Sequence, residues 1–566
     1  MRKPILPLVL ASLLATGLFA SASDENAIQW QPWSNEAFTQ AKTEHKLVMM
    51  DLEAVWCHWC HVMDEKTYHD PRVIKELQRH YIALKVDQDS RPDLSNRYQD
   101  YGWPATIFFA ADGTELVKRS GYIEPDDMIR LLEAIVKDPT PEAADADNPN
   151  QIKQFAASPY LDAKLKDTLL GYYRDDYDKK YGSWGTGGHK FLDWDSTEYA
   201  ISRAKTGDTE SEAMAKKSLD GEMNLLDPVW GGLYQYSTDG DWAHPHFERI
   251  MSVQTENMRV YLEAYALWHD PAYLSTAESI HHFLDTFLKA PDGGYYTSMD
   301  ADLIQGKRRI DQHQYARENG QVIHAFCALY AVTGNAATLN EAVTAANWVV
   351  QNRSLPGGGF SHDVHDDSGP YPGDSLYMGR AFLSLYRSTG DRQWLTDAEI
   401  AAQFINAHFK TGNTQPGYGS SRDENAIMVR FANNLYHQTG NPVYQNMAKT
   451  AMRFVATPGI ADLPFSATTL LADSELNQDP THITIVGHKD DPQAQALYLA
   501  ALQYPMVYKR LDWWDKREGP MPNPDVQYPE LDKSAAFVCT SNRCSLPTFQ
   551  PEALTALVNE LTATKP

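Results

Sequence analysis

From about residue 28 to residue 140, short apolar runs alternate with helix-length amphipathic stretches: Lys46 to Leu52, Pro71 to His80, Tyr81 to Val86 and Thr106 to Ala110. Asp112-Gly113 marks a turn before a further strand. This pattern predicts a compact α/β domain over residues 23–140. A stretch rich in Pro, Ala, Asp and Asn follows and reads as a linker, residues 141–154. From 155 to 476 the period becomes helical. Thr206-Gly207-Asp208, Thr333-Gly334-Asn335, Thr389-Gly390-Asp391 and Thr439-Gly440-Asn441 each close one helix and precede the next. A second element, Gly231-Gly232-Leu233-Tyr234, Gly293-Gly294-Tyr295-Tyr296, Gly357-Gly358-Gly359-Phe360 and Gly417-Tyr418-Gly419, returns at intervals of roughly 60 residues. About twelve helical segments suit six hairpins closed into an (α/α)6 toroid, with the glycine loops gathered at one mouth; an open solenoid is the competing arrangement. Residues 477–566 change again: strand His482 to Val486, helix Pro492 to Gln503 and strand Ala535 to Val538 predict a small C-terminal α/β region.

Arg2 and Lys3, the apolar stretch Ile5 to Ala20 and the small residues Ala20-Ser21-Ala22 read as a secretory signal, residues 1–22, cleaved after Ala22. The expectation is a soluble periplasmic or secreted protein with no membrane insertion after signal removal. A net charge of -25 argues against nucleic acid as a partner. The 5 cysteines are too few for a disulfide framework and point to selective use. Cys327, inside a helical run, reads as a small buried apolar residue.

Trp56-Cys57-His58-Trp59-Cys60-His61 follows the first apolar run and precedes Gly102-Trp103-Pro104. Strand, Cys-x-x-Cys, helix, then a proline opening another strand is the order of a thioredoxin-like redox centre. Two thiols one helical turn apart divide the labour: Cys57, at the open helix end, attacks as thiolate, and Cys60 resolves the mixed disulfide. His58 is expected to lower the Cys57 thiol pKa by its positive charge. Trp56 and Trp59 are expected to form an exposed apolar apron for a client, and Pro104 to pair, as a cis proline, with client backbone; an edge-strand proline is the plainer reading. Asp51 is read either as a buried carboxylate serving Cys60 or as an exposed strand-end acid. Cys57 to His61 also fits c-type haem attachment, and a structural zinc pair is a further alternative, but the strand and proline context favour the dithiol, with no cofactor and no metal.

In the helical region the densest polar cluster is Trp242 to Arg249, followed by Asp300-Ala301-Asp302. His246, Glu248, Asp300 and Asp302 are expected to border one central cavity, as acids near aromatics at a barrel mouth can bind or hydrolyse a sugar; capping and loop salt bridges are the plainer reading. Asp374, Tyr377, Glu424 and Asn425 are weaker candidates of the same sort. Cys539 and Cys544 flank a polar turn and are expected to form a local disulfide, either structural or a second redox pair exchanging with Cys57.

The motif Trp56 to Met63, with Val86-Asp87, Arg91-Pro92-Asp93, Gly102-Trp103-Pro104, Gly231-Gly232, Tyr236 to Asp239, Trp242, Pro245 to Glu248, Asp300 to Asp302, Val538-Cys539 and Cys544 to Pro547, resembles the spermatogenesis-associated thioredoxin-like family. The resemblance implies a thioredoxin domain fused to a six-hairpin, glycosidase-like toroid. Arg249-Ile250-Met251-Ser252 stands where that family tends to have Lys-Met-Leu-Tyr, and Glu318-Asn319-Gly320 where it tends to have Trp-Asn-Gly, which bears on the toroid pocket. The function expected is an exported thiol-disulfide oxidoreductase acting on protein thiols or a redox partner, with the toroid recognising a client or a glycan. The alternative is a carbohydrate-active enzyme or sugar-binding protein with an accessory thioredoxin domain.

Overall fold

The structure, a computed structural model, describes residues 27–142, 154–185, 188–304, 307–364, 366, 368–412, 415–541 and 543–562. The expected signal segment and most of the expected linker lie outside the described residues. Two compact units are present: a smaller one running to Leu52 and including Trp59–Val86 and Pro104–Glu142, and a larger one containing Glu53–His58, Asp87–Trp103 and the chain after Glu142.

In chain order the first elements are α1 (Asn35–Glu44), β1 (Leu47–Glu53), α2 (His58–Lys66), α3 (Pro71–His80), β2 (Tyr81–Asp87), α4 (Pro92–Tyr98), β3 (Ala105–Phe109), β4 (Glu115–Ser120) and α5 (Pro125–Lys137). The sheet order is β2-β1-β3-β4, with β3 antiparallel to both β1 and β4. α3 shows why these segments fold as they do. Asp70 accepts the Arg72 N–H as N-cap, Pro71 opens the first turn, and Val73, Ile74 and Leu77 share a buried stripe. That stripe meets Met49, Phe108, Met128 and Leu132 in the core of the smaller unit.

The larger unit is dominated by α6 (Ala163–Asp175), α7 (Trp194–Lys205), α8 (Thr209–Glu222), α9 (Met251–Trp268), α10 (Pro271–Phe283), α11 (Ala316–Thr333), α12 (Ala336–Arg353), α13 (Pro372–Thr389), α14 (Arg392–His408), α15 (Arg422–Thr439), α16 (Pro442–Val455) and α17 (Ala467–Leu476). α7, α9, α11, α13, α15 and α17 touch in that order, and α17 returns to α7, so the inner helices close a ring. α8, α10, α12, α14 and α16 pack outside, each on the helix before it, and α6 packs on α17. This is the (α/α)6 toroid rather than an open solenoid. Inner helices lie between neighbours on several sides, so α13 is buried nearly all round. Close approach also demands small residues: a Cβ on Gly320 of α11 would stand 2.8 Å from the Tyr377 carbonyl carbon of α13.

The Thr-Gly-Asx punctuation has a single physical meaning at three of its sites. Gly334, Gly390 and Gly440 adopt left-handed φ of 69°, 66° and 71° and cap the inner helix, and Asn335, Asp391 and Asn441 then N-cap the outer one. Between α9 and α10 the same job falls to His269, φ 55°, and Asp270.

The glycine loops depart from expectation. Leu233, Tyr295, Phe360 and Tyr418 are buried core residues, not the lining of an open mouth. Each loop backbone is held by a side chain near the start of the following inner helix. Gln254 takes the Leu233 N–H at 2.8 Å, Asn319 the Tyr295 N–H at 2.9 Å, Ser375 the Phe360 N–H at 3.1 Å and Asn425 the Tyr418 N–H at 2.8 Å. Buried loop amides must be satisfied, and these clamps keep the loops at the N-terminal ends of the inner helices.

The centre of the ring is filled with charge. Arg259 donates to Glu198 at 2.8 Å, and Arg430 bonds Glu198 and also Glu475, the latter at 2.8 Å. Short strands lie among the helices: β5 (Tyr236–Ser237) pairs with β6 (Pro245–His246), and β7 (Arg249–Ile250), β8 (Ser298–Ile304) and β9 (Lys307–Asp311) form a three-stranded sheet. The C-terminal region contains β10 (Thr481–Val486), α18 (Pro492–Gln503), β11 (Lys509–Trp514), β12 (Ala535–Thr540), β13 (Arg543–Cys544) and α19 (Pro551–Thr562), with sheet order β11-β10-β12-β13.

Candidate functional site

β1 runs out at Glu53, the Cys57 N–H donates to the Ala54 carbonyl at 3.1 Å, and α2 starts at the next residue. Cys57 thus stands immediately before the first turn, where the positive end of the helix dipole favours a thiolate. Cys57 and Cys60 are both disulfide-bonded and buried. Asp51 is buried on β1 in register with Thr106, and Lys85 Nζ lies 3.8 Å from its carboxylate. Its burial excludes the exposed strand-end reading. Pro104 is buried directly before β3, and its carbonyl accepts the Gly121 N–H at 2.8 Å.

The two tryptophans part company. Trp59 is 42% exposed and stacks on Tyr122 at 5.9 Å between centroids. Trp56 is only 3% exposed, so it is no part of an exposed apron. Its indole N–H donates to Asp89 at 2.7 Å and its ring meets Trp103 edge-on at 5.9 Å. A polar partner and an aromatic partner on opposite sides of one indole explain its burial.

Of the residues expected around a sugar cavity, His246, Glu248 and Asp302 meet at His58, and Asp300 is tied to them through Asp302. Its Nδ1 lies 2.9 Å from Asp302 Oδ1, and its backbone N–H donates to Glu248 Oε1 at 3.4 Å. His246 approaches edge-on at 6.5 Å between ring centres and lies 3.5 Å from Glu248. Asp300 accepts the Asp302 N–H at 2.9 Å. The short strands cause this meeting: β7 pairs Arg249 with Met299 of β8, which sets Glu248 beside Asp300 and Asp302. The β5-β6 pair sets His246 on Tyr236, and the rings stack at 4.5 Å. Arg249 anchors the turn from below, fully buried, ion-paired with Asp227 and facing the rings of Tyr234, Phe283 and Trp230 at 4.8, 5.2 and 5.6 Å.

The His58 ring thus stands beside a carboxylate, and the negative charge of Asp302 opposes the thiolate-favouring field that an imidazolium at this position would supply. Glu248 also accepts the N–H of the first residue of α2.

A second set of groups was singled out from the sequence only in part, through Asp374 and Glu424. Asp89, which holds Trp56, offers its carbonyl to His362 Nε2 at 2.7 Å, and His362 Nδ1 lies 2.8 Å from Asp374. His362 stacks on Tyr315 at 4.1 Å. Burial opposes a charge on His362, but Asp374 and Glu318 outweigh it and push its pKa up to about 9. Burial and Asp311 push Asp87 up to about 7, and burial with Asp87 and Glu318 holds Asp89 well above the carboxylate range. Burial likewise raises Glu318 and Glu424. Asp374 and Glu424 carried a weak signal as acids after glycine loops; His362 and Asp89 carried none, because their meeting joins segments 273 residues apart.

Residues 14–138 match the family model Thioredox_DsbH, described as "Protein of unknown function, DUF255". Mouse spermatogenesis-associated protein 20 is 26% identical over 313 residues, which cover 49% of this chain and 39% of the mouse protein. The rat protein is 24% identical over 67% of this chain and 51% of its own length. This chain thus spans about half or less of those curated relatives. A thiol:disulfide interchange protein DsbD of Campylobacter jejuni is 31% identical over 153 residues, 23% of this chain and 27% of that protein. A crystal structure of D-mannose isomerase superposes with a TM-score of 0.46 at 13% identity, covering 57% of this chain and 99% of that one; the ring closure, not this superposition, carries the fold. The chain is thus similar over part of its length to spermatogenesis-associated protein 20, and it joins a thioredoxin-like region to a six-hairpin helical toroid.

Proposed function

We propose that this protein is an exported thiol-disulfide oxidoreductase whose toroid both recognises its client and sets the charge around the dithiol. One observation carries the reading: Cys57 and Cys60, both disulfide-bonded, stand at the N-terminal end of α2 directly after a buried strand. In the reducing direction the Cys57 thiolate attacks a client disulfide, a mixed disulfide forms and one client thiolate leaves. The Cys60 thiolate then attacks Cys57 Sγ, closing the Cys57-Cys60 disulfide and releasing the second client thiolate. Trp59 and Tyr122 offer a client an apolar surface. Export is inferred from Arg2, Lys3 and the Ile5 to Ala20 stretch, and fractionation with N-terminal sequencing tests it. The sugar-hydrolase reading is the weaker one because Glu248 and Asp302, two of its candidate acids, are both engaged by His58.

The test compares Cys57→Ser and Cys60→Ser in cells. Cys60→Ser is expected to accumulate mixed disulfides through Cys57, and Cys57→Ser to accumulate none. Equal absence of trapped partners, with no thiol exchange by the purified protein, overturns the reading. A Soret band in the purified protein would replace it with haem attachment.

A further inference from the structure

The C-terminal sheet has one apolar face and one mixed face, where Val486, Ala535 and Phe537 cluster beside a polar row that ends on a sulfur. Ile483, Ile485, Leu511 and Val538 pack with α18 and α19. The alternate positions are His482, Thr484, Arg510, Asp512 and Cys539, and the strand register sets His482 of β10 between Arg510 of β11 and Cys539 of β12. Tyr528 lies over this face. Its hydroxyl is 3.8 Å from Cys539 Sγ and 2.8 Å from Thr484 Oγ1, which is 2.8 Å from His482 Nε2; that nitrogen is in turn 2.8 Å from Asp512. Arg510 Nε donates to Asp512 at 2.7 Å.

Cys539 is bonded to Cys544 on the neighbouring edge strand β13. The bond is asymmetric: Cys539 is buried, and Cys544 is exposed. It is also redundant as a staple. The hairpin is already held by Ser545 N–H to the Val538 carbonyl at 2.8 Å and by the Ala536 and Thr548 pair at 2.8 and 2.9 Å. Closing so short a loop removes little freedom from the unfolded chain.

We infer that Cys539-Cys544 is a second, exchangeable disulfide that accepts electrons from thiols, with Cys544 as the sulfur attacked and Cys539 as the leaving group. A donor thiolate attacks Cys544 Sγ, the Cys539-Cys544 bond breaks, and Cys539 departs as a thiolate beside the Tyr528 hydroxyl. A second donor thiolate attacks the donor sulfur of the mixed disulfide, releasing Cys544 as thiolate. The donor leaves as a disulfide, the pair has gained two electrons, and both thiolates take protons from solvent according to pH. Burial pushes the Tyr528 phenol up to about 12, so it stays a donor throughout. Stabilising the leaving thiolate speeds exchange, and an exposed sulfur admits the attack.

The test uses the full chain carrying Cys57→Ser and Cys60→Ser, so that failure here is separate from failure of the first dithiol. The protein is treated without denaturant with dithiothreitol or with a reduced dithiol protein, quenched in acid, alkylated and mass-mapped. Opening of Cys539-Cys544 by either donor is expected, the first identifying small thiols and the second protein thiols as reactants. In this background glutathione disulfide is expected to glutathionylate the free Cys544 thiol when Cys539→Ser is present, releasing one reduced glutathione. Tyr528→Phe is expected to slow opening at least about threefold while thermal stability, which a purely structural hydroxyl would alter, stays the same. A bond that opens only in denaturant overturns the inference, and so does an unchanged rate in Tyr528→Phe.

Discussion

The centre of the helical ring and its N-terminal end both bury carboxylates, yet Glu198 at the centre is treated in the opposite way to the acids at the end. At the centre Glu198 is outnumbered by guanidinium groups. Burial opposes its charge, but Arg430 and Arg259 overcome that and hold it down to about 2. At the end where the glycine loops gather, acids outnumber cations: Asp87, Asp89, Glu318 and Glu424 are all raised, with burial the leading cause. Glu198 thus stays a permanent charge, while Glu263, on the same Arg259, is raised to about 8 chiefly by burial and carries a proton. At the end none of the four acids is held down, and that end can change its charge near neutral pH beside the segment that carries Trp56 and Cys57.

The largest effect should come from breaking the centre. Glu198→Gln leaves Arg259 and Arg430 without their shared anion and is expected to cost about 3–5 kcal/mol in chemical denaturation. Survival of full stability would mean that the ring centre is hydrated enough to manage without the carboxylate.

The pH profile separates the two regions by sign. Glu198, lowered in the folded protein, contributes stability present above about 4.5 and lost as pH falls toward 2. Asp87, raised to about 7, is protonated when folded, so stability falls as pH climbs from about 4 to about 7. Asp87→Asn copies the protonated form. It should match the parent below about pH 4 and exceed it increasingly as pH rises, by about 4 kcal/mol at pH 8, and parallel curves across that range would locate the proton elsewhere.

The smallest effect sharpens the charge argument at the dithiol. The His58 and Asp302 side chains are 39% and 35% exposed, so solvent screens the pair. Asp302→Asn removes a negative charge from beside His58 and should raise the alkylation rate of the reduced Cys57 thiol at neutral pH by roughly twofold to fivefold. A slower rate would show that Asp302 positions His58 rather than neutralising it.

The sequence made the helical architecture readable wherever backbone geometry demands a particular residue. Gly334-Asn335, Gly390-Asp391 and Gly440-Asn441 each announce a left-handed cap followed by an N-cap, whereas His269-Asp270 does the same work without a glycine and went unread. The glycine loops were visible as a repeat, but their aromatic residues belong to the core; periodicity gives spacing, not the direction a loop residue faces. His246, Glu248, Asp300 and Asp302 were found as polar residues, yet their target was invisible, since His58 lies 190 positions from Glu248 and 244 from Asp302. Two-residue strands such as β7 produce no alternation to detect, and β7 is the element that brings these acids together. Trp56 was misjudged because its neighbours Asp89 and Trp103 are fixed by tertiary pairing alone.

Closure of the ring also sets a schedule for folding. α17 must return to α7 and α6, elements whose partners lie nearly 300 positions away, as in the Thr468 contact with Asp195. Until residue 476 has been delivered, five hairpins made in order share an unsealed apolar seam between their first and last helices. Long-range closure of this kind slows folding and leaves the intermediate prone to association. A chain emerging from its N-terminus is thus kept waiting, with its thioredoxin-like segment already made, for the last turn of the circle to arrive.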